Sequence, residues 1–253
     1  MSTFTGLLPV AIEAPTFVPS AYGLLSTARV SDDGTLRWAS GATFQSNAGG
    51  SLDGMIVEDG CDPWVDKAPN LPETWADALA IVLYGWWHCS PAGFTLEEAA
   101  ARMHEKFLAA EGRGLEALLW EWFLTHTTAA GGTVTATLGK AEQAIATVYG
   151  GEGLIHVNRA TATAFANAGL IARYGTGLRT IGAYTPVVVG DGYQDDGALA
   201  VVATGPMSVV RGPLTDMGDG KAQFTRPTND LNAMAERAYQ ITVEAPVLAF
   251  TAT

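Results

Sequence analysis

Few residues of this 253-residue chain stand at spacings that serve chemistry. His88 and Cys89, with Cys61 far upstream, offer three metal-ligand types. No Cys-x-x-Cys or His-x-x-x-His pair accompanies them to close a tetrahedral site. The neighbours Trp86 and Trp87 instead predict a buried histidine and cysteine in an apolar wall. Gly175-Thr176-Gly177 lacks the third glycine of a dinucleotide loop and reads as a turn. Gly190-Asp191-Gly192 follows an apolar strand, and one acid between glycines is a turn signal. Asp195-Asp196, Asp216 and Asp219 could meet Ca²⁺, but the twelve-residue ligand loop is absent, which leaves solvated loops. His156 lies inside Leu154-Ile155-His156-Val157, where a hydrogen-bonded core histidine is the default. No Gly-x-Ser-x-Gly elbow and no nucleophile–base pair is visible. The residues thus predict no catalytic, cofactor or metal site; an enzyme using His88, Cys89 and the Gly190 loop is the minor alternative.

The elements that carry these residues are set by composition and periodicity. Fourteen basic against 26 acidic side chains give a formal net charge of −12, a poor match to a phosphate backbone. Charged residues are only 16% and mean hydropathy is +0.15. Yet no apolar run reaches the roughly 18 residues of a membrane span. A chain so apolar and so poor in charge has surface to hide, and subunit contact hides it. The N-terminus shows no secretion signal. Two cysteines make no disulfide framework and predict reduced thiols.

Residues 1–23 hold Pro9, Pro15 and Pro19, show no helical period, and predict an extended arm lying on something else. Residues 24–46 predict a long hairpin turning at Ser31-Asp32-Asp33-Gly34. Trp75–Trp87 predicts a short buried helix. Thr95-Leu96-Glu97-Glu98 is a capping box, and the period behind it predicts a helix over 95–124. Glu111-Gly112-Arg113-Gly114 weakens that helix midway. Helix, strand and helix follow over 140–149, 154–157 and 159–168. Short strands then run over 171–174, 178–181, 186–189, 198–203, 207–211, 238–243 and 247–251.

Particular segments carry a family likeness. They are Gly153-Leu154-Ile155-His156-Val157-Asn158-Arg159, then Tyr174 to Gly182, Pro186 to Tyr193, and Ala203-Thr204-Gly205-Pro206-Met207. To these add Glu111 to Glu116, and Arg226-Pro227-Thr228-Asn229-Asp230 through Ala238. In this order they resemble the major capsid proteins of tailed phages, particularly of actinobacterial siphophages. Those share the Hong Kong 97 capsid fold with encapsulin compartments. Tyr184-Thr185 stand before Pro186-Val187 where the family strand has glycine.

The resemblance implies an α+β fold: an N-terminal arm (1–23), an extended hairpin loop (24–58), a peripheral lobe with the spine helix (59–138 and 226–253), and an axial lobe (139–225). It implies a structural subunit of an icosahedral head, self-assembled as pentamers and hexamers, with scaffold and portal proteins as partners. Such a head encloses double-stranded DNA without sequence-specific binding, is assembled in the host cytoplasm, and involves no membrane and no cofactor. An encapsulin-like shell or a minor head protein is the alternative. The implied inter-subunit contacts are Phe17, Leu36, Arg37, Trp38 and Phe44. Residues 24–58 carry only Arg29 and Arg37 as basic groups. The lysine–asparagine crosslink of some relatives is therefore expected to be missing, leaving a shell held by non-covalent contacts.

Overall fold

The computed structural model describes residues 16–36, 41–46, 75–89, 95–126, 128–194, 199–216, 223–225, 230–244 and 247–252. Two antiparallel strands, β3 (Trp75–Cys89) and β13 (Asp230–Val243), form the backbone of a first sheet. They pair in continuous register from Leu231↔Cys89 to Ile241↔Leu79. The buried helix expected over Trp75–Trp87 is therefore a strand. Its side chains alternate between a face turned to the neighbouring helix and an exposed face bearing Val82, Tyr84, Trp86 and His88. Gly85 belongs to the inner face: a Cβ there would stand 2.6 Å from Met103 Cε.

That neighbour is α2 (Leu96–Leu124), a 29-residue helix about 43 Å long at 1.5 Å per residue. Thr95 Oγ1 accepts from Glu98 N at 3.1 Å, and Thr95 N donates to Glu98 Oε2 at 2.8 Å, so both halves of the predicted capping box are formed. Ala99, Met103 and Phe107 pack on the first sheet. Gly112 and Gly114 do not break the helix. A Cβ at Gly114 would be 3.7 Å from Leu83, so small residues here let helix and strand approach.

The rest of the first sheet comes from distant parts of the chain. β1 (Arg29–Asp32) runs parallel to β10 (Met207–Arg211), which pairs with β13. β2 (Ala42–Gln45) pairs with the start of β3, Ala42 opposite Ala78 and Gln45 opposite Trp75. Short strands β11 (Thr215–Asp216) and β12 (Gln223–Thr225) add to β13. The hairpin expected over 24–46 is thus absent. Leu24–Thr27 is one helical turn, α1, and β1 and β2 lie at opposite ends of the sheet order. Asp33 still turns the chain: its Oδ1 accepts from Thr35 N and Oγ1 (2.8 and 2.7 Å), which holds its pKa below the usual carboxylate range. The two-stranded ribbon is instead β2 with β3, and the residues joining them include Lys67.

A second sheet has the order β4-β14-β9-β5-β8. Its strands are β4 (Thr128–Gly132), β5 (Leu154–Val157), β8 (Val187–Val189), β9 (Leu199–Thr204) and β14 (Leu248–Ala252). Ile155, Val157, Val187, Val189 and Val201 face α3 (Val134–Val148) and α4 (Arg159–Asn167). Leu154, Val188 and Val202 face the other way, onto Leu115, Leu119, Trp120 and Phe123 of α2. Both faces are buried, which is why these strands read as unbroken apolar runs. A hairpin of β6 (Ile171–Tyr174) and β7 (Gly177–Thr180) stands apart, turned by Gly175 at φ +57°. The sheets divide the chain differently from the expected lobes: 207–211 belongs to the first sheet and 248–252 to the second.

Candidate functional site

His156 is fully buried in β5. Its Nδ1 meets Tyr193 Oη at 2.9 Å and its Nε2 meets Thr204 Oγ1 at 3.1 Å. Burial lowers its pKa to about 3, so the ring is neutral, and its polar atoms are occupied by structural partners. His88, expected to be buried, is exposed on the outer face of β3 and stacks on Trp86 at 4.9 Å between centroids. The alternation of the strand is the reason, because residues facing α2 fall at odd numbers. Cys89 ends that strand, while Cys61, Asp195, Asp196 and Asp219 lie outside the described residues. Asp216 contacts His104 of α2. Among the described residues no group of three or more His, Cys, Asp or Glu could hold a metal ion.

Gly190-Asp191-Gly192 is a turn, and it does more than reverse the chain. Asp191 pairs with Arg159 at 2.5 Å, and Gly192 N donates to Glu116 Oε2 at 3.0 Å. The other oxygen of Glu116 accepts from Leu24 N at 2.8 Å. This buried carboxylate on α2 therefore ties α1 and the loop after β8 to the helix. Burial pushes its pKa up, and the amides of Leu24, Gly192 and Asp191 oppose that. Five residues earlier, Glu111 accepts from Arg237 Nη1 (2.6 Å) and Tyr239 Oη (2.8 Å) of β13. Arg211 of β10 stands 3.8 Å away and itself holds Asp32 of β1 at 2.9 Å. The middle of α2 is thus a polar junction between both sheets and the N-terminal strand. It was not anticipated from the sequence, although a signal was present. Glu111 occupies a core position in the series Met103, Phe107, Glu111, Leu115, Leu119, where an unpartnered carboxylate would be costly.

Of the implied contact residues, Phe17 is 54% exposed on the segment before α1. Leu36 and Phe44 are half-buried, and Arg37 and Trp38 lie outside the described residues. Two exposed apolar groups were not anticipated. One is Val82, Tyr84 and Trp86 on the outer face of β3. The other is Tyr174, Ile181 and Tyr184 beside the β6–β7 hairpin. Tyr184 has φ +67°, a strained conformation for a bulky residue. It is held by Arg179, which lies 5.7 Å over its ring and donates to its carbonyl at 2.6 Å.

No family model and no curated protein matches the sequence. Solved structures do match in shape along nearly the whole chain. The capsid of a native GTA particle is 13% identical with a TM-score of 0.57, covering 99% of this chain and 96% of that one. The SrpI encapsulin of Synechococcus elongatus PCC 7942 is 8% identical with a TM-score of 0.56, covering 98% and 92%. A chain of Mycobacterium phage Che8 is 16% identical with a TM-score of 0.54, covering 98% of each. A long helix lying across two sheets, with an N-terminal segment tied to its middle, is in this chain the α+β fold of the Hong Kong 97-type shell subunit.

Proposed function

We propose that the chain is a major capsid subunit that assembles into the icosahedral head of a tailed phage. The observation that carries this reading is the match of the entire two-sheet subunit to capsid chains, with both chains covered almost end to end. The role is structural rather than catalytic. The buried polar groups at His156, Glu111 and Glu116 serve as internal fastenings. Within this reading the first sheet with α2 forms the peripheral lobe and the second sheet with α3 and α4 the axial lobe. The residues before α1 begin the arm, and the β2–β3 ribbon with the residues joining it is the extended loop. Pentamers and hexamers of the chain, a scaffold, a portal and enclosed DNA are the partners this role requires. The virion is then its place, after assembly in the host cytoplasm. Among the described residues no helix is long and apolar enough to cross a membrane.

The encapsulin match supports a second reading, a shell around a protein cargo. Electron micrographs of the purified chain test the common part: closed particles are expected, and only monomers or small oligomers would overturn it. The nucleic acid and protein content of particles from the native source separates a DNA-filled head from a cargo compartment.

A further inference from the structure

An Asp-Gly pair is a chemical weak point in a polypeptide, because the unhindered glycine nitrogen can attack the side-chain carboxyl that precedes it. The chain holds six such pairs, at 33–34, 53–54, 59–60, 191–192, 196–197 and 219–220. The described residues include 33–34 and 191–192, and their surroundings are opposite. Asp191-Gly192 is locked. Asp191 Oδ1 accepts from Arg159 Nε at 2.5 Å, and Gly192 N donates to Glu116 Oε2 at 3.0 Å. A Cβ on Gly192 would stand 2.1 Å from Arg113 O, so the peptide has no room to turn toward the carboxyl. Asp33-Gly34 is open. Residues 31–35 are exposed, and nothing lies within 4 Å of where a Gly34 Cβ would be. Leu36 N donates to Asp33 O at 3.2 Å, which closes a turn with Gly34 at its first corner. At that corner Gly34 N has no hydrogen-bond partner among the described residues. Asp33 Oδ1 accepts from Thr35 N at 2.8 Å, which folds the side chain back over the peptide bond to Gly34.

We propose that Asp33 is a site of spontaneous covalent modification, converting to isoaspartate through a succinimide, while the fold protects Asp191 from the same reaction. In the first step Gly34 N bonds to Cγ of the protonated Asp33 carboxyl. The Cγ–OH bond breaks, and the hydroxyl leaves with the amide proton as water. Water then adds to one of the two carbonyls of the five-membered ring, and the bond from that carbonyl to nitrogen breaks. Opening at the former main-chain carbonyl leaves the peptide bond running through Cγ. No oxidant, metal or partner is needed, so the reaction is independent of the shell reading. The bonds from Thr35 N and Oγ1 favour the ionised carboxylate, which is not the reactive form. Conversion is therefore slow and accumulates with the age of the subunit. Isoaspartate lengthens the backbone by one carbon. At residue 33 that breaks the two bonds from Thr35 and displaces Asp33 N, which donates to Arg211 O at 2.8 Å just beyond the β1–β10 pairing. The adjoining Asp32 is held by Arg211 at 2.9 Å, and β1 is an edge strand of the first sheet. Ageing thus loosens the subunit at that edge.

The full chain is incubated in ¹⁸O-labelled water at mildly acidic pH and sampled over weeks. Trypsin then releases residues 30–37 and 180–211, which carry the two sites. Electron-transfer fragmentation separates isoaspartate from aspartate, and one incorporated ¹⁸O marks passage through the succinimide. Isoaspartate is expected at 33 at a rate within about threefold of that in the free peptide 30–37, and at 191 at least about tenfold more slowly than in its own free peptide. No isoaspartate at 33, or equal rates at 33 and 191 in the folded chain, overturns the proposal. Gly34→Ala has room in the structure. It should slow conversion at 33 about tenfold by crowding the nitrogen, with the melting of fresh subunits unchanged. Undiminished conversion in that variant would rule out attack by the residue-34 nitrogen. Amide exchange over residues 29–32 should be faster in the aged parent chain than in aged Gly34→Ala, and equal exchange would overturn the loosening of β1.

Discussion

A neutral imidazole at the centre of β5 makes stability depend on acidity. In the unfolded chain His156 takes up a proton near its ordinary value of 6.5, whereas in the folded chain it refuses one until about pH 3. Between those values the unfolded state binds more protons, so stability falls as pH falls, by about 1.4 kcal/mol per unit at most from this group. Above about 6.5 both states are neutral and the contribution is flat. His156→Gln keeps polar atoms near Tyr193 and Thr204 but cannot be protonated. Its urea-unfolding free energy is expected to fall less steeply from pH 6 to pH 4 than that of the parent, and parallel slopes would show that another group titrates there. Glycine gives a second residue-scale test. A Cβ on Gly192 would stand 2.1 Å from Arg113 O and 2.6 Å from Ala117 N. These are backbone atoms of α2 and cannot swing aside. Gly192→Ala should cost about 1–3 kcal/mol, visible as a lower melting temperature of the unassembled subunit.

At the scale of elements, the start of α2 is fixed by side chains within four residues of each other. Thr95→Ala removes the acceptor for Glu98 N and should cost about 1 kcal/mol, a drop of roughly 2–4 °C in melting temperature for a chain of this size. An unchanged melt would mean that the first turn contributes nothing. Such local signals explain what was legible in the sequence. The capping box at Thr95, the turn at Gly175 and the Asn158 cap, whose Oδ1 accepts from Thr161 N at 2.7 Å, each act within a few residues. Residues 75–87 were not legible. A short apolar run fits a buried helix or a strand equally by composition, and the partner that decides is β13, far along the chain. The same holds for β1, whose neighbour β10 lies nearly 180 residues away, as Arg29↔Ser208 shows. The chain does turn at Asp33, as its sequence predicts, but β2 does not pair back onto β1. The fold class came through because α2 and the elements from α3 to β10 stand in the expected order. The junction at Glu111 and Glu116 did not, because its meaning lies in partners from β13, α1 and the loop after β8.

Over the whole molecule, the N-terminal segment joins the body earlier than an arm over 1–23 would allow. Tyr22 packs on the second core and its carbonyl accepts from Val189 N at 2.7 Å, while Leu24 N is held by Glu116. Residues 16–19 are exposed. Deleting residues 1–15 is therefore expected to leave the melting of the subunit unchanged while closed particles fail to form, scored by sedimentation and micrographs. Deleting 1–23 should also lower the melt, since it removes Tyr22. Normal particles from the shorter deletion would refute an assembly role for the arm.

The position of β13 and β14 within their sheets bears on when a subunit becomes competent. β13 lies between β10 and β3, and β14 lies between β4 and β9. Both are interior strands, and both are synthesised after every other described strand. At synthesis rates of about 5–20 residues per second, the earlier strands spend seconds outside the ribosome with neither sheet closed. The part of the bed under α2 that β13 supplies, Ala233 and Ala235 against Ala99, Met103 and Phe107, is missing for the same interval. A nascent chain on a polysome consequently presents no finished surface to its neighbours, however crowded they are.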